Sequence, residues 1–238
     1  MSKIMCWDIE TTGFKADFAH LLTVAATWID HDKMYTWRID DTPGFGKTPA
    51  SYLDDRWIVE QVRDMVNESD MLVHHYGDRF DLPFLNTRCL EWGLEPPGKI
   101  MTVDTCMVAR KNLAMTSNRL ATIAAFLNGE DAQKGGLTKQ EWRLAAHGHK
   151  KVLDKMVEYN IGDVVATEQA YLKLRPVMKT HPYVSEPKDG VERRKQCNAC
   201  GSAKTHSEGS YYTKLFHVLR RRCNDCGVPF EEARSKIK

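Results

Sequence analysis

The sequence predicts an α/β fold: a mixed sheet flanked by helices, followed by a small separate unit gathered at four cysteines. Three observations predict it. Three β-like segments follow one another near the N-terminus, as in an antiparallel meander. Strand-like and helix-like segments then alternate, the pattern of parallel strands with crossover helices. Finally, Cys197-Asn-Ala-Cys200-Gly and Cys223-Asn-Asp-Cys226-Gly are near-copies separated by 22 residues in a basic stretch.

Each element has its own signal. Residues 3–9 read as a buried strand that ends in a turn at Thr12 and Gly13. Residues 21–29 and 33–39 are strands joined by the polar turn Asp30, His31 and Asp32. Trp57, Ile58, Val62, Met65 and Val66 recur at helical spacing within 54–67. Residues 71–75 form a short strand. Phe84, Leu85, Cys89, Leu90 and Trp92 predict a helix ending at Gly93, and 100–104 another strand. Asn118 stands where it would cap a helix carrying Leu120, Ile123, Ala124 and Leu127, with Gly129 past its end. The longest helix runs from about Lys150 to Leu174, with Leu153, Met156, Val157, Val164, Thr167, Tyr171 and Leu174 on its apolar face.

A chain of 238 residues is long enough to bury a real core. It has no apolar run of 18 residues, and Asp8 and Glu10 arrive too early for a signal peptide, so an intracellular, cytoplasmic protein without membrane contact is expected. The overall net charge of +2 does not announce a nucleic-acid binder. Its distribution is uneven: residues 191–238 hold 11 Lys and Arg against 5 Asp and Glu, a net of +6, which leaves −4 on the rest. The polar, Pro- and Gly-bearing stretch 181–190 marks the break. The expected division is a main domain over 1–180, a linker over 181–191 and a basic cysteine unit over 192–238.

Asp8 and Glu10 are two apart on a strand, so both leave the same face. Their repulsion calls for a divalent cation, unless the strand end merely frays into solvent. Asp81 is bracketed by Phe80, Leu82, Pro83, Phe84 and Leu85 at the start of a helix, either as a site acid or as the helix cap. Tyr159 and Asp163 are four apart and share a helical face, either as a site or as a surface acid beside a half-buried tyrosine. Between them Gly162 costs roughly 1 kcal/mol relative to Ala in a helix interior, which suggests close approach of a strand or ligand.

In order and spacing, CWDIETTG, YGDRFDLPFL and YNIGDVVAT together resemble the three motifs of the DEDD 3′→5′ exonucleases. Tyr159, with Glu158 where the other subtype has His, points to the tyrosine subtype. The likeness is strongest to stand-alone exonucleases similar to family B polymerase proofreading domains, and it covers roughly residues 1–175. It implies a ribonuclease-H-like fold and hydrolysis of nucleic acid from 3′ ends, releasing nucleoside 5′-monophosphates, with single-stranded DNA ahead of RNA. It also implies two Mg²⁺ or Mn²⁺ ions, about 4 Å apart, on Asp8, Glu10, Asp81 and Asp163. By the family's pattern Asp8 bridges both ions, Glu10 and Asp163 complete the site that activates water, and Asp81 holds the other ion. Tyr159 orients the attacking water, because a phenol of pKa near 10 is a poor base at neutral pH.

Substrate contacts are expected after the first strand, at Thr11, Thr12 and Gly13 through backbone N–H groups. Phe14 or Leu85 would wedge against the terminal base, with a core role preferred for Leu85. Relatives often carry Asn where this chain has Tyr76; the tyrosine either stacks on a base or packs on the sheet.

The cysteine unit has its own logic. Two C-x-x-C turns, each followed by a glycine (Gly201, Gly227) that permits positive φ, make a four-thiolate site for one structural Zn²⁺ through Cys197, Cys200, Cys223 and Cys226. About 45 residues build no core of their own, so the metal contributes folding energy. A redox dithiol is the alternative for either pair. His206 and His217 are spare ligands that two complete pairs make unnecessary. The strand-like YYTKLFHVLRRR between the pairs gives a zinc ribbon. Arg193, Arg194, Lys195, Arg220, Arg221 and Arg222, with Tyr211, Tyr212 and Phe216 among them, suit a single nucleic-acid strand. Docking on a protein partner is the alternative for the ribbon. For the whole chain, the alternative is a binding module on a nuclease-like fold that does not cut.

Overall fold

Apolar residues fill both faces of β1 (Ile4–Thr11), in which every residue except Asp8 is buried. A strand of that kind belongs in the middle of a sheet with both faces covered. The computed structural model, which describes residues 2–129 and 136–237, puts it there. β2 (Leu21–Trp28) and β3 (Met34–Arg38) extend the sheet antiparallel on one side. β4 (Met71–His74) and β5 (Met101–Asp104) extend it parallel on the other, giving the order β3-β2-β1-β4-β5. The mixed sheet and the meander follow the sequence pattern, and strand limits fall within one or two residues of those expected.

Strand alternation divides the core into two layers. Met5, Trp7 and Ile9 face α1 (Arg56–Asn67) and α2 (Asp81–Glu91), where Ile58, Val62 and Leu85 are buried. Ile4, Cys6 and Val73 face α4 (Leu120–Asn128) and α6 (Lys150–Leu174), meeting Ile123, Val164, Tyr171 and Leu174. α6 occupies the expected span, and Gly129 ends α4 with φ 70°.

Two helices lie outside the expected pattern. α3 (Thr105–Asn112) starts directly from β5, with Asp104 as its cap, accepting from the N–H of Met107. α5 (Lys139–Ala146) opens with a Thr138/Glu141 capping box, a signature present in the sequence. Both are short, and their apolar residues are too few to set a period. Two caps are also corrected. Arg119, not Asn118, occupies the cap position of α4; the Asn118 carbonyl instead meets His75 Nε2 at 3.0 Å. Asp81 is the first residue of α2, and Phe80 holds the cap position, so Asp81 is not the cap.

A buried ion pair ties the α1–α2 layer together. Arg88 donates to Asp55 at 2.8 and 3.0 Å and to the carbonyl of Ala16, while Asp55 also accepts from Trp92 Nε1 and the N–H of Leu21.

The tail forms a three-stranded antiparallel sheet of β6 (Thr205–Tyr212), β7 (Phe216–Cys223) and β8 (Pro229–Lys236). The intervening stretch is not bare chain. His181, Val184 and Ser185 are buried, and Val184 joins the α6 side of the core. Val184 and Ser185 donate to the Asn198 carbonyl, and Asn198 Nδ2 returns a bond of 2.6 Å to the His181 carbonyl. Arg222 donates to the Pro176 carbonyl at 2.9 Å, and the Tyr171 hydroxyl meets His181 Nε2 at 2.8 Å. The tail is thus hydrogen-bonded to the end of α6.

Candidate active site

Asp8 and Glu10 leave the α6 face of β1 at the end of the sheet where α6 crosses. Asp163 meets them from α6: one ligand oxygen of each of Asp8, Glu10 and Asp163 lie within 4.8 Å of one another. Asp81 comes from the start of α2, where its Oδ1 accepts from the N–H of Ile9 at 3.2 Å. It is close enough for its charge to act strongly on Asp8. Three carboxylates therefore converge, and the fourth stands behind them, fixed to the strand between Asp8 and Glu10.

Burial and mutual repulsion dominate this cluster. The Asp8 carboxyl is pushed well above the usual range by burial and by the charges of Asp81, Glu10 and Asp163. Glu10 is pushed up to about 8 by burial and by Asp163 and Asp81. Burial also lifts Asp81 and Asp163 to about 6. Tyr159 hydrogen-bonds Asp163, and burial together with the Asp163 charge raises its phenol further above the ordinary value, so it stays protonated. An all-oxygen donor set held at this electrostatic cost fits divalent cations such as Mg²⁺ or Mn²⁺.

Asn160 is a member of the cluster that sequence reading passed over. Fully buried, it donates to Asp8 Oδ2 at 2.7 Å and accepts from Thr23 at 3.3 Å. Its signal was its place one residue after Tyr159, on the face of α6 that meets β1 and β2.

The expected substrate contacts are mixed. Thr11 is buried with its hydroxyl on the Gly13 carbonyl, and the Thr12 hydroxyl accepts from the N–H of His20. Both side chains thus hold their own loop, and Gly13 is half-buried within it. Phe14 is 88% exposed, with its ring edge-on to Phe80. Leu85 is core. Tyr76 is 42% exposed and held at φ 67°, its N–H on Asp104.

The four cysteines meet in the tail. Cys197 and Cys226 stand 3.6 Å apart, as do Cys200 and Cys223, and all four sulfurs lie within 4.8 Å. Sulfurs around a tetrahedral zinc would be about 3.8 Å apart, against about 2.05 Å in a disulfide. Four thiols this close, at zinc rather than disulfide spacing, fit a zinc ion. Gly201 and Gly227 have the positive φ that each turn requires.

A five-stranded mixed sheet, three strands antiparallel and two parallel, with acids at the end of its central strand and a long helix across it, defines a ribonuclease-H-like fold. The chain belongs to the RNase_H superfamily, whose profile matches residues 5–175. It is similar to a DNA polymerase III of PolC type from Ureaplasma parvum serovar 3, 29% identical over 135 residues. That match takes in 49% of this chain and only 9% of the polymerase. The fold also matches the family B DNA polymerase of Pyrobaculum calidifontis, with TM-score 0.55 and 15% identity over 75% of this chain and 26% of that one.

Proposed function

We propose that the protein is a metal-dependent 3′→5′ exonuclease of the DEDD tyrosine subtype, acting on nucleic acid with single-stranded DNA ahead of RNA and releasing nucleoside 5′-monophosphates. The observation that carries this reading is the convergence of Asp8, Glu10 and Asp163, backed by Asp81, with Tyr159 hydrogen-bonded to Asp163. A module that only binds nucleic acid gains nothing from crowding buried carboxylates, since they repel both one another and phosphate.

In this reading Asp8, Glu10, Asp81 and Asp163 hold two Mg²⁺ or Mn²⁺ ions. Bound there, such ions supply an activated water and offset the charge of the transferring phosphoryl group and leaving alkoxide. The chain's own residues do the rest. Asn160 fixes the Asp8 carboxylate in one orientation. The protonated Tyr159 phenol orients the attacking water without removing its proton. Exposed Phe14, edge-on to Phe80 just before Asp81, is available to the terminal base.

The ribbon, in the same reading, holds one structural Zn²⁺ and captures the strand. Tyr212 is 70% exposed and stacked on His217, and Arg220 lies over the Tyr211 ring. The remaining basic residues have protein partners: Arg221 pairs with Glu232, Arg222 with Glu208, and Arg194 and Lys195 with Glu192. Arg193 bonds the Ser185 carbonyl and lies over the Tyr183 ring. Arg220 in turn donates to the Glu208 carbonyl at 3.2 Å and the Tyr211 hydroxyl to Glu231 at 2.9 Å, so capture starts from exposed Tyr212, with Tyr211 and Arg220 beside it.

The test is release of a 3′ label from single-stranded DNA in Mg²⁺ or Mn²⁺. EDTA should stop it, and Asp8→Ala should abolish it while binding persists. Undiminished release by the Asp8→Ala/Asp163→Ala double variant would sink the two-metal assignment.

A further inference from the structure

His74 closes β4 and Asp104 closes β5, and the two are direct cross-strand partners, so their side chains leave the same face. Asp78 lies four residues beyond His74, in the turn that leads to Asp81. One ligand atom from each of the three lie within 4.8 Å of one another. The His74 ring is 6.5 Å from that of Trp7, the neighbour of Asp8 on β1, which puts this trio on the opposite face of the sheet from Asp8.

The hydrogen bonding of the trio is incomplete. Asp104 is 4% exposed; its Oδ1 accepts from Tyr76 and Met107, at 3.0 and 3.1 Å, while Oδ2 is buried without a partner. His74 is 0% exposed, with Nε2 3.0 Å from Asp78 Oδ1 and Nδ1 buried without a partner. The His74–Asp78 hydrogen bond engages one carboxylate and leaves Asp104 Oδ2 without a partner. The ring is not free to turn toward it. A Cβ on Gly77 would stand 2.4 Å from His74 Cγ, so the backbone there lies flat against the imidazole. The two N–H groups on Oδ1 likewise fix the Asp104 carboxylate, the kind of outer support that metal ligands receive.

We propose that His74, Asp78 and Asp104 form a second zinc-class site, a His-Asp-Asp centre distinct from both the acidic cluster and the four cysteines. One imidazole nitrogen and two carboxylates are a donor set for a borderline divalent ion with three protein ligands and an open fourth position. A cavity of about 480 Å³ lies alongside, bordered by Asp78, Asp104, Lys111, Lys179 and His181. An ion there would be held by His74 and Asp78 and would satisfy Asp104 Oδ2. It ties the ends of β4 and β5 to the turn that carries Tyr76 and leads into Asp81. The proposal does not depend on the exonuclease reading.

The experiment is a zinc count by plasma mass spectrometry on the full chain carrying Asp8→Ala/Asp163→Ala, which empties the acidic cluster. The protein is saturated with Zn²⁺ and desalted, and circular dichroism reports folding. About two zinc ions per chain are expected, one of them on the four cysteines. His74→Ala should remove one, and Asp78→Asn, at an exposed position that the fold tolerates, should weaken that ion at least about tenfold in a chelator competition. Adding Cys200→Ser/Cys226→Ser should remove the other ion and leave the first. One zinc per chain in the parent, or an unchanged affinity after Asp78→Asn, would overturn the proposal and leave an ordinary His–Asp hydrogen bond. Should His74→Ala fail to fold, Asp78→Asn decides alone.

Discussion

At Glu10, Asp81 and Asp163 the folded chain holds carboxyl protons that the unfolded chain releases near pH 4. Their values are raised to about 8, about 6 and about 6. At these carboxyls the native state binds more protons than the unfolded state, so their contribution to stability falls as pH rises, whereas buried His20, His75 and His181, held below the ordinary histidine range, contribute the opposite slope below about pH 6.5. The melting temperature in EDTA should therefore drop from about pH 7 to about pH 8, where Glu10 still titrates, and saturating Mn²⁺ should flatten or reverse that slope. A melting temperature that climbs with pH in EDTA over this interval would contradict the electrostatics described. Protons and cations compete for the same oxygens, so hydrolysis should increase from about pH 6 to about pH 8. Asp8→Asn should abolish hydrolysis while metal-free stability holds or rises, because it removes a repelling charge. Asn160→Ala removes the 2.7 Å bond to Asp8 and no charge. We expect about 10- to 100-fold lower kcat or cation affinity with the fold intact, the usual cost of losing a supporting group. Full activity at unchanged cation affinity would show that Asp8 needs no orientation.

Among the elements, Asp55 and Arg88 do most to explain how the Asp81-bearing helix is held. Arg88 in α2 reaches Asp55 at the start of α1, Ala16 in the loop after β1 and, through Asp55, the first residue of β2. Asp55→Ala leaves the buried Arg88 charge unpaired, and a loss of about 3–5 kcal/mol is expected in denaturant melts. Arg88→Ala should cost a similar amount, whereas the double replacement by apolar residues should recover part of it. Equal stability of Asp55→Ala and the parent would show that water reaches this pair. Sequence pattern alone did not single out Asp55 or Arg88.

The whole molecule couples the tail to α6. Val184 is buried on the α6 side of the core, and its carbonyl accepts from the Ser2 hydroxyl. A chain ending at Tyr183 loses that plug. It should melt lower than a chain ending at Glu186, and calorimetry of the two compares them directly. If the four cysteines hold zinc, chelation strong enough to remove it should abolish the β6–β8 strand signal before the cooperative melting of the core, since few apolar residues hold that sheet. If the tail captures nucleic acid, Tyr212→Ala with Arg220→Ala should raise KM more than it lowers kcat and reduce the salt dependence on long single strands. Unchanged KM and salt slope would favour protein docking. Among the described residues no helix is long and apolar enough to cross a membrane.

Local pattern was enough for the elements whose period is long or whose chemistry is local. The 25-residue α6, the three-strand meander and the two C-x-x-C turns were legible because burial periodicity and turn geometry are written in consecutive residues. The acids Asp8, Glu10, Asp81 and Asp163 were legible as a set because their motifs occur in order. Tertiary structure alone decided which of them touch, that Asn160 orients Asp8, and that Asp55 and Arg88 are buried together. It alone also brought His74 beside Asp104, through the parallel pairing of β4 and β5. The physical reason is that these side chains meet only through the fold: Asp55 and Arg88 lie 33 residues apart along the chain and Asp8 and Asn160 lie 152 apart, and a polar side chain that is costly to bury alone is far less so beside such a partner.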